Sequence, residues 1–276
     1  YFLDVFERRA SELESLLPWL HPDGTLVPAA AIVPPCSTAR QANQAEEQAM
    51  AFSQRVAAAV ALRHLGYRVR IHPAGVVVSQ LVAGTNAPCR LQPMDVIVAV
   101  DGTPTPTIAA LRRALRRVEP GAVVTLRIRR AGRLRTVRVR TVRDPQVPGQ
   151  ALVGFAPDQA ARIELPLRVS IDVHGVGGPS AGLAFALEVM AKLGRNVTRG
   201  YRVAATGEMQ LNGAVAPIGG VRQKVIDAQR AHVDVLLVPA GENATVARRY
   251  AGRLRVLAVR TFGQALRDLA ALPAKR

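Results

Sequence analysis

The spacing of apolar residues changes several times along this chain, and each change marks an element. Met50, Val56, Val60 and Leu65 recur with neighbouring alanines at helical spacing, predicting a helix over 44–65 that Gly66 stops. From 66 to 143 shorter runs follow: GVVVSQLV, a turn AGTNAP, DVIVAVDG, a helical TIAALRRALRRV, then AVVTLRIRR and RLRTVRVRTV around Ala131-Gly132. These predict strand, strand, helix and a closing hairpin. Arginines at 127, 129, 130, 133, 135, 138 and 140 alternate with apolar residues in that hairpin, the pattern of a solvated edge whose charges block further pairing. DPQVPGQ (144–150) reads as a linker, and LRVSIDV (167–173) as a strand.

The next stretch is apolar nearly all round. Leu183, Leu187 and Met190 keep helical spacing, Phe185, Val189 and Leu193 fill the flanks, and Gly194 is placed to end the helix with a left-handed cap. A strand at Tyr201–Thr206 leads to a turn at Asn212-Gly213, and a helix starts after Gly219 and Gly220 with Val221, Val225 and Ala228 as its apolar stripe. VDVLLVP, GENATVARRYAG, LRVLAV and TFGQALRDLAAL then alternate as βαβα, the end of a mixed sheet. At the start of the chain, YFLDVF is strand-like, and Ser11 with Glu14 forms a capping-box pair for a helix. Residues 21–40, rich in proline and small residues, predict irregular structure. The fold class is α+β, in two domains.

Composition narrows the function classes. Hydrophobic residues make up 49% of 276, enough for a proper core, and no apolar run is long enough to span a bilayer. The net charge of +17 suits nucleic acid, anionic lipid or simply a basic surface. Aromatics at 4% are too scarce for base-stacking platforms, so no nucleic acid is expected, and an anionic membrane surface ranks behind the plain basic surface. The five dispersed histidines and the two cysteines form no metal-ligand spacing, so neither metal nor cofactor is expected. Cys36 and Cys89 either pair in an oxidising compartment or, as scattered cysteines more often do, stay free.

Candidate chemistry gathers at two places. In HGVGGPSAGL, Ser180 sits where a glycine-rich turn becomes a buried helix, so first-turn N–H groups and the positive dipole end surround it. A serine there suits attack on a carbonyl, although Ser is also a common N-cap. A phosphate loop is disfavoured, because Leu183 stands where that loop needs lysine. In PIGGVRQK, Lys224 borders the apolar stripe, where desolvation favours a neutral amine able to take a serine proton. Asp172, His174 and Ser180 supply the three residue types of a rival triad.

GGPSAG around Ser180, TGE at 206–208 and PIGGVRQK at 217–224 resemble the proteolytic domain of Lon proteases. The resemblance, which runs from about Leu152 to Leu272, implies Ser180 as nucleophile, Lys224 as general base and Thr206 as support for the lysine. Gly177 stands where many Lon proteases carry an acidic residue three positions before the serine, and the loop before the serine looks shortened. Residues 66–143 resemble a PDZ domain of bacterial proteases, with Met94 replacing the glycine of its Gly-Asp turn. That resemblance implies binding of chain ends, with Gly66 and Tyr67 in the loop that captures the carboxylate.

The combination resembles the PDZ-containing Lon-like proteases of bacteria. It implies a Lon-type domain of the ribosomal protein S5 domain 2-like kind over 150–272, a small β-rich PDZ domain, and a helical segment 1–65 packing on the Lon-type domain. It further implies an ATP-independent serine endopeptidase acting on proteins or peptides and assembling as a homo-oligomer. A membrane anchor upstream of Tyr1 and an extracytoplasmic active domain are also implied. The alternative is an inactive PDZ scaffold that binds peptides.

Overall fold

The structure is a computed structural model that describes residues 23–145, 147–173 and 177–275, together with 3, 5, 8, 10, 11, 14 and 17. It divides into two compact units: a β-rich one of residues 28–48 and 70–164, and a mixed one of 1–27, 49–69 and 165–276. Among the described residues no helix is long and apolar enough to cross a membrane.

Helix α1 (Ala39–His64) starts earlier than its apolar spacing suggests. Thr38 and Gln41 form a capping box: the Gln41 N–H donates to Thr38 Oγ1 (3.2 Å) and the Thr38 N–H to Gln41 Oε1 (2.8 Å). The β-rich unit then runs through β1 (Arg70–Leu81), β2 (Val96–Val100), α2 (Ile108–Leu115), β3 (Val123–Arg130), β4 (Arg133–Arg140) and β5 (Phe155–Glu164). Its sheet is antiparallel in the order β4-β3-β2-β1-β5, with Thr103–Pro104 paired to β2 beside that path.

Val76, Val78, Ile97, Leu126, Ile128 and Val139 point into one core with Leu111 and Leu115 of α2. Thr107 caps α2 by accepting from the Ala110 N–H. Asp95 is buried and fully engaged: Arg130 donates to it from Nε (2.7 Å) and Nη2 (2.6 Å), and the Gln92 N–H adds a third bond. A buried carboxylate needs such partners to be tolerated.

Two features of this unit go beyond the sequence reading. Cys36 and Cys89 form a disulfide, with Cα atoms 4.9 Å apart, so the scattered cysteines are not free thiols. The bond ties the 28–48 segment to the 3₁₀ turn Ala87–Cys89, between β1 and β2. The second feature is β5. It pairs with β1 from Arg70↔Glu164 to Leu81↔Phe155, which carries the sheet past residue 150, where sequence places the start of the Lon-type domain. FAPDQAARIE lacks a clean alternation, and its proline suits only an edge, so strand patterning is weak there. The LRVSIDV segment, expected to be a strand, has no strand assignment.

The mixed unit holds α3 (Gly182–Lys192), β6 (Val203–Ala205), α4 (Val221–Arg230), β7 (Val235–Pro239), α5 (Glu242–Tyr250), β8 (Arg255–Val259) and α6 (Phe262–Ala270). Strands β8, β7 and β6 lie parallel in that order, the βαβα alternation made physical. Leu236, Val238, Val225, Ala228, Ala244 and Ala247 fill the space between sheet and helices. Gly194 takes the left-handed cap expected of it, and the Arg195 N–H closes on the Met190 carbonyl (3.0 Å). Ser11 and Glu14 make the reciprocal capping-box bonds.

Candidate active site

Residues Pro179–Ala181 form a single 3₁₀ turn that runs into α3. Proline fits the first position of such a turn because its missing N–H would have had no partner there. Three contacts hold the turn. Ser53 Oγ donates to the Pro179 carbonyl (3.0 Å), the Gly207 N–H to the Ser180 carbonyl (2.8 Å), and the Leu183 N–H to the Gly207 carbonyl (3.0 Å). A Cβ on Gly182 would lie 2.8 Å from the Met209 nitrogen, so only glycine lets the helix start this close to its neighbour. Ser180 is thus fixed at the N-terminal end of α3.

Lys224 comes from a second element. Gly220 takes a left-handed conformation (φ 66°) and α4 starts after it. Asn243, buried in the first turn of α5, clamps the approach from both sides: its Oδ1 accepts from the Ile218 N–H (2.8 Å), and its Nδ2 donates to the Ile218 carbonyl (3.0 Å). Lys224 lies one turn into α4 with only 4% of its surface exposed. Its Nζ is 2.7 Å from Ser180 Oγ, 3.3 Å from Thr206 Oγ1 and 3.1 Å from the Leu3 carbonyl oxygen.

Thr206 comes from a third element. It follows β6, its N–H donates to the Leu237 carbonyl (3.0 Å) on β7, and its hydroxyl donates to the Ser180 carbonyl (3.2 Å). Ser180, Lys224 and Thr206 are therefore brought together from a turn, a helix and a strand end.

The other candidates are placed differently. Asp172 follows Ile171, whose carbonyl accepts from Gln54 Nε2 (3.2 Å). His174 lies outside the described residues. Gly66 has the left-handed conformation of a helix stop (φ 86°), and the Tyr67 N–H closes on the Leu62 carbonyl (3.0 Å), with the Tyr67 side chain 41% exposed. Both fall in the mixed unit, whereas the sheet edge beside α2 belongs to β5 of the β-rich unit. Val153-Gly154-Phe155 leads into that edge, Gly154 has φ 90°, and its carbonyl accepts from the Val82 N–H (2.9 Å). Among the described residues no group of three or more His, Cys, Asp or Glu side chains is placed to hold a metal ion.

Sequence reasoning missed Ser53, Asn243 and the Leu3 carbonyl. A serine in a helix interior and an asparagine in a first turn carry no distinguishing local signal, and a main-chain carbonyl carries none at all.

Residues 165–270 match the family model of the Lon protease (S16) C-terminal proteolytic domain, and residues 64–141 match that of the PDZ domain. Lon protease 1 of Herpetosiphon aurantiacus is 41% identical over 86 residues, 31% of this chain and 10% of that protein. Lon protease 2 of Bacillus subtilis is 31% identical over 122 residues, 44% of this chain and 21% of that protein. The chain thus spans between a tenth and about a fifth of the length of these relatives. The PDZ domain of the SdrC-like protein from Listeria monocytogenes aligns at 17% identity and TM-score 0.28, covering 30% of this chain and 86% of that one.

Proposed function

We propose that the Lon-type proteolytic domain and the PDZ domain of this chain act together as a serine endopeptidase with a Ser180–Lys224 dyad. The observation that carries this reading is the 2.7 Å separation of a serine hydroxyl, at a helix N-terminus, from a lysine amine that is nearly fully buried. Burial disfavours the ammonium form, and a neutral amine is a competent base for a hydroxyl. Ser180 Oγ attacks the scissile carbonyl carbon while its proton passes to Lys224 Nζ. N–H groups of the turn at Ser180 hold the oxyanion. The protonated amine then gives its proton to the leaving nitrogen, the C–N bond breaks, and an acyl-enzyme remains. Water, deprotonated by the same amine, hydrolyses the ester. Thr206 orients Nζ throughout. No nucleotide enters any step, which is the sense in which the reaction is ATP-independent.

In the β-rich unit, substrate tails dock by strand addition along β5. It pairs with β1 on one side and ends the sheet on the other, and a positive-φ glycine precedes it as a carboxylate-capturing turn requires. The proposed recognition surface is Val153–Phe155 and β5, in preference to Gly66 and Tyr67. The Cys36–Cys89 disulfide supports an extracytoplasmic setting, where such bonds persist.

The test is digestion of an unstructured protein such as casein, with fluorophosphonate labelling run alongside. The wild-type protein cleaves and is labelled at Ser180, and Ser180→Ala and Lys224→Ala lose both. Equal turnover by wild type and Ser180→Ala would leave the inert peptide-binding scaffold as the better reading.

A further inference from the structure

The outer edge of β5 has a direction that the register fixes. On β1, Val78 turns its main chain toward β2: its N–H donates to the Asp95 carbonyl (2.8 Å), and its carbonyl accepts from the Met94 N–H (2.8 Å). Its register partner on β5 is Pro157. In an antiparallel pair, facing residues turn their main chains both toward each other or both away, so Pro157 faces the free edge. Both register shifts put the extra residue on β1, so the alternation runs unbroken along β5, and Phe155 and Gln159 face outward with Pro157. Gly154 agrees with this phase, because its carbonyl turns inward to the Val82 N–H (2.9 Å). Among the described residues no strand pairs with that edge.

The outward row is short of donors. Proline has no N–H. The Gln159 N–H is taken by Asp158 Oδ1 (2.7 Å). The Gln159 side chain also bridges β5 to the start of α2, where its Oε1 accepts from the Ile108 N–H (3.3 Å) and its Nε2 donates to the Pro106 carbonyl (2.9 Å). Past Phe155, the next two outward positions therefore offer a strand no free N–H. We propose that this edge reads only the extreme C-terminal end of a chain, roughly its last three residues, and that its partners are free chain ends irrespective of the sequence before them. The inference rests on the reading of Val153–Phe155 as a carboxylate-capturing turn.

The energetics follow from the two gaps. A chain that sets its carboxylate at the turn runs antiparallel to β5, with its last residue beside Phe155 and the residue two before it beside Pro157. That earlier residue donates to the Pro157 carbonyl, but its own carbonyl leaves water and meets no donor. An acceptor left unmet costs more than a made bond returns. The same loss recurs two residues further on, at Gln159. The ligand therefore leaves the edge at Pro157 and keeps its remaining carbonyls in water. An internal segment has no carboxylate for the turn and meets the same gaps, so it is excluded. Each peptide bond opened at Ser180 leaves a new terminal carboxylate, so fragments are ligands of this edge alongside the parent chain.

The experiment uses the full chain carrying Ser180→Ala, so that peptides stay uncut, and fluorescein-labelled peptides of three and eight residues that share their last three. The two peptides are expected to bind within about two-fold of each other, and amidation of the C-terminus to abolish binding of both. Adding Pro157→Ala and Asp158→Ala restores the N–H at 157 and frees the one at 159. The eight-residue peptide is then expected to bind about five-fold more tightly than the three-residue one. The short peptide, bound before and after the change, reports that the turn is intact. A long peptide preferred about ten-fold with Pro157 and Asp158 in place, amidated peptides that bind as well as free ones, or an unchanged ratio once both donors are restored would each overturn the proposal. Failure of every free-ended peptide to bind would instead defeat the reading of the turn itself, so the two failures are separable.

Discussion

At residue scale, what matters in the site is which atoms can give a proton and which can only receive one. Lys224 Nζ lies within hydrogen-bond reach of Ser180 Oγ, Thr206 Oγ1 and the Leu3 carbonyl oxygen, and in the proposed reaction Ser180 gives its proton to that amine. Removing Ser180 or Lys224 is expected to cost at least the ~10²–10⁴-fold associated with a positioned base, measured as casein hydrolysis at fixed enzyme concentration. Lys224→Arg is expected to be as inactive as Lys224→Ala, because a guanidinium does not give up its proton. Away from the site, burial raises the Asp158 carboxyl above its usual range, with a bond from the Gln159 N–H (2.7 Å) opposing the rise. A folded-state value above the unfolded one means the fold favours the protonated acid. Stability is therefore fully present at acid pH and is lost as pH rises through the raised value. Asp158→Asn is expected to raise Tm at neutral pH and leave it unchanged at pH values below the ordinary aspartate range. Calorimetry at the two pH values checks this.

Elements are held by close approach as much as by pattern. The first turn of α3 presses on the Met209 backbone through Gly182, so Gly182→Ala is expected to displace the Ser180 turn. Such overpacking typically costs ~1–3 kcal/mol, and a lowered denaturant midpoint together with a fall in kcat would report it. Met94 shows the converse. It holds a left-handed conformation (φ 67°) where the PDZ resemblance has glycine, so Met94→Gly should stabilise the β-rich unit. The relieved strain, ~1–2 kcal/mol, is partly offset by glycine's greater freedom when unfolded. A rise in the urea midpoint with an unchanged m-value is the signature to look for. The edge strand β5 gives a third expectation. A titrated chain-end peptide should shift amide resonances of β5 and of Val153–Phe155, leaving Gly66 and Tyr67 unmoved.

For the whole molecule, the disulfide matters most in the β-rich unit. It closes a loop across a sequence separation of 53 and binds the 28–48 segment to the 3₁₀ turn Ala87–Cys89. Reduction, or Cys36→Ser with Cys89→Ser, is expected to lower the stability of that unit by ~2–4 kcal/mol. Denaturant curves read by probes placed in each unit would separate this loss from any effect on the mixed unit.

Much of this architecture was present in local pattern. The helix after Ser180, the strand-helix alternation after Thr206, the closing hairpin of the β-rich unit and the candidates Ser180, Lys224 and Thr206 are all local signals, because periodicity, glycine punctuation and short motifs act over a few residues. The tertiary structure alone decided the rest. It made β5 a strand by offering a long partner in β1, it joined Cys36 to Cys89, and it brought the Leu3 carbonyl to the lysine. Each of these joins positions whose sequence separation leaves no periodic trace, and a main-chain oxygen has no letter of its own. Chain folding is what turns such distance into contact.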